Sequence, residues 1–270
     1  MFSSRCLLVL LAAVSTIVAA EQPHIVLQST TSTQNSGLLD VLVHEFKAAH
    51  DIEVRVVAVG TGQALRNARN GDGDVLLVHA RSAEERFVEE GYGIERFDVM
   101  YNDFVIVGPA DDPARVGASK DVVSALQRIA RAQKAFASRG DDSGTHKKEM
   151  SLWSETSFDL NAASGTWYRE TGSGMGATLN IGVAMNAYVL TDRATWISFA
   201  NKQNFKIIFE GDPRLFNQYG VILVNPAKHP NVRAKLAQKF IDWLLGTPGQ
   251  TVIGNYAIGG ERLFYPNAKP

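Results

Sequence analysis

The chain has 270 residues, with 27 Lys and Arg against 28 Asp and Glu, a net charge of −1 when His is neutral. So close a balance leaves no bulk field to gather nucleic acid, and any anion must be held by local donors. Hydrophobic content of 45%, nine prolines and a single cysteine describe a globular chain without a disulfide framework.

Residues 1–20 read as a secretory signal. Arg5 supplies the positive charge, Cys6 to Val14 the apolar run, and Val18-Ala19-Ala20 a small-residue cleavage site before Glu21. The run is too short to span a bilayer and polar Glu21-Gln22-Pro23 follows it, so no anchor is expected. A lipid-bearing cysteine would sit at the cleavage point, whereas Cys6 opens the apolar run. The expectation is a free, exported protein without thiols, carrying 26 basic and 28 acidic residues once Arg5 is removed. About 250 residues suit two lobes better than one core.

In chain order, His24 to Gln28 is a strand that ends in five hydroxyl residues, Ser29-Thr30-Thr31-Ser32-Thr33. Gly37 to Ala49 is helical, with Leu38, Leu39, Leu42, Val43 and Phe46 on one face. Ile52 to Val59 alternates as a strand, Gln63 to Asn70 is helical, and Asp74 to His79 is an apolar run suited to a strand buried on both faces. Ser82 to Gly91 is a helix and Tyr101 to Val107 a strand, after which Gly108-Pro109 and Asp111-Asp112-Pro113 mark a crossover to a second lobe. That lobe reads as helix 121–132, strand 134–137, helix 145–156, helix 175–188, strand 188–191, helix 192–200 and strand 205–209. Gly211-Asp212-Pro213 marks the return, Gly220 to Val224 rejoins the first lobe, and Val232 to Leu245 is an amphipathic helix stopping at Gly246. Strand–helix alternation predicts an α/β fold. The expected boundaries are lobe I at 21–108 and 211–270 and lobe II at 109–210, with a ligand cleft between them.

Ser138-Arg139-Gly140-Asp141-Asp142-Ser143-Gly144-Thr145 precedes a helix, where free backbone N–H groups and the positive dipole end suit an anion. Arg139 adds a bidentate fork and Ser143 and Thr145 add hydroxyls, while Gly144 allows close backbone approach. As an isolated motif this is equally an N-cap beside a surface arginine. The Ser29–Thr33 loop points hydroxyls and N–H groups off the end of a strand toward the cleft, although a cap alone needs one hydroxyl. Gly60-Thr61-Gly62 is a second strand-to-helix turn with a hydroxyl. Gly172-Ser173-Gly174 opens a further helix and either wraps a ligand or serves close packing. Candidate oxyanion ligands are therefore Thr30, Thr31, Ser32, Thr61, Arg139, Ser143 and Thr145, with Ser29, Gly144 and Ser173 as further candidates. Asp141 either pairs with Arg139 and holds its guanidinium plane or is, with Asp142, an acid favoured by the helix dipole.

Other chemistries fit poorly. No serine lies in Gly-x-Ser-x-Gly, since Thr171 stands two before Ser173 and Asp141 two before Ser143. Phosphate-loop and dinucleotide motifs are absent, the six histidines show no ligand spacing, and no nucleophile–base pair is evident.

Several long stretches in order resemble the solute-binding proteins of ABC uptake systems, and among them the tungstate-binding proteins. They are Ser29 to Leu38, Val57 to Leu65, Asp74 to Ala80, Val99 to Val105, Ser138 to His146 and Tyr188 to Ala194. The family's first loop usually reads Thr-Thr-Thr-Ser, and here Ser29 stands at the first position. The resemblance implies a two-lobed periplasmic-binding-protein fold of type II and tungstate as ligand, held by the loop around Thr30 and Thr31 with Thr61, Arg139 and Thr145. It also implies a monomer of the periplasm, with a membrane permease and its ATPase as partners and no cofactor, metal ion or nucleic acid. Molybdate matches tungstate in size and charge, phosphate-binding proteins share the Arg-x-Asp-x-Ser-Gly-Thr pattern, and an anion sensor or an exported enzyme would use the same lobes.

Overall fold

A computed structural model describes residues 22–269. The expected signal segment, with Cys6, lies outside the described residues. β1 (His24–Thr30) runs into a short helix, α1 (Thr31–Asn35), and then α2 (Leu38–His50). β2 (Glu53–Val59), α3 (Thr61–Asn70), β3 (Val75–Val78) and α4 (Arg81–Glu89) follow, and lead to the long strand β4 (Gly93–Pro109). Next come α5 (Val122–Arg131), β5 (Phe136–Ser138), α6 (Gly144–Ser154), α7 (Leu160–Ala163), β6 (Tyr168–Glu170) and α8 (Met175–Met185). β7 (Val189–Asp192), α9 (Arg193–Ser198) and β8 (Phe205–Phe209) precede β9 (Phe216–Val224). The chain closes with α10 (Ala234–Leu245), α11 (Thr247–Asn255) and the short strands β10 (Ala257–Ile258), β11 (Glu261–Arg262) and β12 (Tyr265–Pro266). No helix among the described residues is long and apolar enough to cross a membrane.

The first sheet runs β12-β4-β9-β3-β1-β2, with β1 parallel to β2 and β3 and with β9 antiparallel to both β3 and β4. β4 changes partners partway along. Residues from Gly93 to Asp103 pair with β9, whereas Phe104 to Val107 pair with β7 and Ile106 to Pro109 with β8. The chain therefore passes between sheets inside one strand, at Asp103 and Phe104, and returns where β9 begins at Phe216 opposite Asp103. Gly108 and Pro109 are still paired with β8, beyond this change.

Each sheet has apolar packing on both faces, which follows from the period-two alternation of a strand. Val75 and Leu77 of β3 face the α2, α10 and α11 side, while Leu76 and Val78 face α3 and α4. In the second sheet Phe104 and Ile106 pack toward α5, and Val105 and Val107 toward α8. α2 buries Leu38, Leu39, Leu42 and Phe46 at helical spacing, and each such side chain contributes about 1.5–3 kcal/mol. α10 stops at Gly246, as expected, but Pro248 then stands in the first turn of α11, a helix the sequence reading did not place.

Candidate functional site

The loop after β1 is organised by its own hydroxyls. Thr30 caps α1, and its Oγ1 accepts from the Thr33 amide at 3.4 Å and lies 3.1 Å from Ser32 Oγ and 2.7 Å from Thr33 Oγ1. Ser29 is buried and donates its hydroxyl to the Leu77 carbonyl at 2.8 Å, which ties β1 to β3. Its proton is therefore directed into the sheet. Thr31 is half-buried and faces the start of α8, where a Cβ on Gly174 would sit 3.8 Å from its Oγ1.

The facing side is built by the loop between β5 and α6. Arg139 is 1% exposed, and its Nε donates to the Ser173 carbonyl at 2.8 Å. Its Nη2 pairs with the Asp141 carboxylate, whose other oxygen accepts from the Ser143 amide at 3.2 Å. Asp141 thus holds the guanidinium, while Asp142 is exposed and pairs with Lys147 and Arg66. Ser173 contributes its carbonyl, because its hydroxyl donates to Thr171 O at 3.0 Å. Ser143 caps α6, with its Oγ accepting from the His146 amide at 3.1 Å.

Close contacts at the start of α6 join the sides. The Gly144 amide donates to Thr61 Oγ1 at 3.1 Å, and Thr61, fully buried, is the first residue of α3. A Cβ at Gly144 would lie 3.0 Å from both Thr61 Oγ1 and His79 Cε1, so a larger residue would press on both side chains. Thr145 Oγ1 is buried without a hydrogen-bond partner. α3 and α8 start at Gly60 and Gly174 without a side-chain cap, which leaves their first amides free of side-chain competition.

Sequence reasoning missed His79. It stands just beyond β3, buried, with Nε2 3.1 Å from Ser32 Oγ and Nδ1 3.0 Å from Asn217 Oδ1. The only local signal was its place at the carboxyl end of an apolar strand, where open α/β sheets bind ligands. This is a nucleophile–base pair oriented by an amide, of the kind the sequence did not reveal. Burial holds the imidazole down at about pKa 4, against the raising effect of Asn217, and so makes it a poor general base at neutral pH. Beneath Arg139, burial pushes the Glu149 carboxyl up to about 7, although Tyr168 donates to its Oε1 at 2.6 Å. Burial also raises Asp192, which caps α9.

Among the described residues no three His, Cys, Asp or Glu side chains gather as a metal cluster. A cavity of about 340 Å³ opens beside His79 and Gly144, lined also by Arg81, Lys147 and Lys148 and by no carboxylate. Buried donors thus stand on two facing sides, joined by strands that pass between two sheets, a chemistry suited to a small anion.

Comparison with known proteins agrees. Residues 18–247 match the family model described as a PBP superfamily domain. The tungstate-binding protein TupA of Peptoclostridium acidaminophilum is 49% identical over 90% of this chain and 86% of its own length. The structure of TupA from Desulfovibrio alaskensis superposes with a TM-score of 0.78 at 46% identity, covering 92% of this chain and all (100%) of the other. A tungstate ABC transporter structure from Geobacter sulfurreducens gives a TM-score of 0.78 and 46% identity over 86% of this chain and 98% of its own. The chain belongs to the periplasmic-binding-protein superfamily and, within it, to the family of the tungstate-binding proteins.

Proposed function

We propose that the protein captures tungstate between its lobes outside the cytoplasmic membrane and delivers it to an ABC permease driven by an ATPase. The observation that carries this reading is the unpartnered Thr145 hydroxyl, buried at the start of α6 within the group formed by Arg139, Thr61 and Gly144. The inferred contacts are Thr30, Thr31, Ser32, Thr61, Arg139, Ser143 and Thr145, with the Gly144 backbone. Ser29 and the Ser173 hydroxyl are set aside, since each donates elsewhere. The lobes divide at the partner change in β4, with lobe II running from Phe104 to the segment before β9. The protein acts as a monomer of the periplasm after removal of its signal.

Donor chemistry supports a fully deprotonated oxyanion. Asp141, the carboxylate beside Arg139, already accepts a hydrogen bond on each oxygen, which favours a ligand that brings no proton of its own. The relatives named for tungstate support transport over catalysis or sensing. Calorimetry of the processed protein against tungstate, molybdate, sulfate and phosphate at one ionic strength tests this. The expected result is tight one-to-one tungstate binding, with molybdate ranked beside it and sulfate and phosphate silent. Phosphate binding with tungstate silent would overturn it.

A further inference from the structure

His79 touches three parts of the molecule at once. Its Nε2 meets Ser32 in the hydroxyl loop, its Nδ1 meets Asn217 on β9, and its ring packs against Gly144 of α6. Asn217 in turn donates through Nδ2 to Asn102 Oδ1 at 2.7 Å, and these two residues are register partners one position before β4 changes sheets. Tyr219 stacks on the imidazole with centroids 4.8 Å apart, which fixes the ring plane. His79 thus links the loop, through Asn217 and Asn102, to the hinge.

The direction of this chain of hydrogen bonds matters. As it stands, Asn217 presents Oδ1 to the ring, so Nδ1 carries the proton, Nε2 accepts, and the Ser32 hydroxyl must donate to the imidazole. One buried donor, Asn102 Nδ2, is then left without a partner. The reverse direction puts the Asn102 carbonyl oxygen at that position in place of the donor, and an unpaired buried carbonyl is the more tolerable of the two. With both amides turned over, Asn102 Nδ2 donates to Asn217 Oδ1, Asn217 donates to Nδ1, and Nε2–H donates to Ser32 Oγ. The ring keeps one proton and the serine keeps its own, now free to point at an oxyanion.

Resting on the tungstate-capture reading, we propose that His79 is a positioning residue that makes Ser32 a donor to the bound oxyanion, through the reversed chain with its proton on Nε2. A dianion near Ser32 favours that direction because it rewards an added donor. The neutrality that burial imposes on the ring is what allows one nitrogen to accept while the other donates.

Two measurements test the proposal. Nitrogen NMR of protein labelled in its histidines, with His79→Gln used to assign the signal, reads which ring nitrogen is protonated in the tungstate complex. The expected tautomer is Nε2–H, and Nδ1–H in the complex overturns the proposal. Stopped-flow dissociation reads the consequence. His79→Asn, too short to reach Ser32, should release tungstate about tenfold faster, the loss of roughly one hydrogen bond to a charged group. Ser32→Ala should match it, the double variant should be no faster than either, and His79→Gln, whose amide reaches Ser32 as a donor, should recover most of the loss. Leu126→Ala, in the lobe II core, controls for stability. Multiplying effects in the double variant, or a release rate for Leu126→Ala as fast as for His79→Asn, would reduce His79 to a structural role. A wild-type protein that binds none of the four oxyanions would instead overturn the capture reading itself.

Discussion

Thr145 and Glu149 lie one helical turn apart on α6 and face opposite demands. The Thr145 hydroxyl is buried and unpartnered, which costs free energy unless a ligand accepts from it. Thr145→Val keeps the shape and removes the group, so it should leave folding stability unchanged or slightly raised while weakening tungstate binding by about 1–3 kcal/mol. Calorimetry and thermal unfolding on the same sample separate the two effects, and a variant that loses stability but keeps affinity would place the hydroxyl outside the site. Glu149 makes a prediction in pH. Its folded pKa is raised to about 7 from an ordinary 4.5, so the folded state holds its proton more firmly than the unfolded chain across that window. The stabilisation is present below 4.5 and is lost as pH rises through 7. Glu149→Gln mimics the protonated form, and its stability relative to wild type should therefore climb by about 1–3 kcal/mol between pH 5 and 8. His79, lowered to about 4, acts in the opposite sense between 4 and 6.5, but it is common to both proteins and cancels in the difference. Denaturant titrations at the two pH values check this. Arg139 and Thr145 were legible as candidates because a helix start and its preceding loop are local. His79 was not, since its partners Ser32 and Asn217 lie 47 and 138 residues away.

The elements that shape the site are mostly short loops feeding helix starts, and their caps decide how firmly it is held. Asp192 is fully buried and caps α9, accepting from the Thr195 amide at 2.8 Å and from its hydroxyl at 2.7 Å. Thr195 also reaches the Ser32 carbonyl at 3.4 Å, so α9 braces the hydroxyl loop. Asp192→Ala removes the cap and strands the buried Thr195 amide, and should cost about 1–3 kcal/mol, whereas Asp192→Asn, nearly as good a cap, should cost less than about 1. Equal losses in the two variants, read by chemical denaturation, would show that charge rather than capping holds α9. Helices with a clear apolar stripe, such as α2 and α10, were legible from their period, and strands β1 to β3 from their alternation or continuous burial. What escaped was set by pairing across the sheet. β4 was read from Tyr101, yet it begins at Gly93, because residues before Met100 are held by register with β9 and lack a continuous apolar run. The passage between sheets escaped for the same reason. Gly108, Pro109 and Pro113 look like a turn, but the strand continues through Pro109 and changes neighbours earlier, where nothing in residue type marks it.

At the scale of the whole molecule, a chain almost balanced in charge must attract a dianion with a local field. The cavity beside His79 and Gly144 supplies one. Arg81, Lys147 and Lys148 line it without a facing carboxylate in its wall, although Lys147 is paired with Asp142 and Arg81 with Glu85 behind them. Lys148 differs from the other two, since its ammonium donates to the Arg214 carbonyl at 2.9 Å. Desolvation lowers its pKa, the mark of a cation with too little compensation. Such a charge beside the cavity is expected to act on encounter more than on retention, as rim charges do. Lys148→Gln should therefore slow tungstate association about two- to threefold at low ionic strength, with dissociation nearly unchanged. Near 1 M salt, where the screening length is about 3 Å, the difference should vanish. Stopped-flow association at the two ionic strengths decides the matter. A rate ratio that persists in high salt would mean that Lys148 touches the ion or shapes the cleft. A change confined to dissociation would move it from the rim into the site.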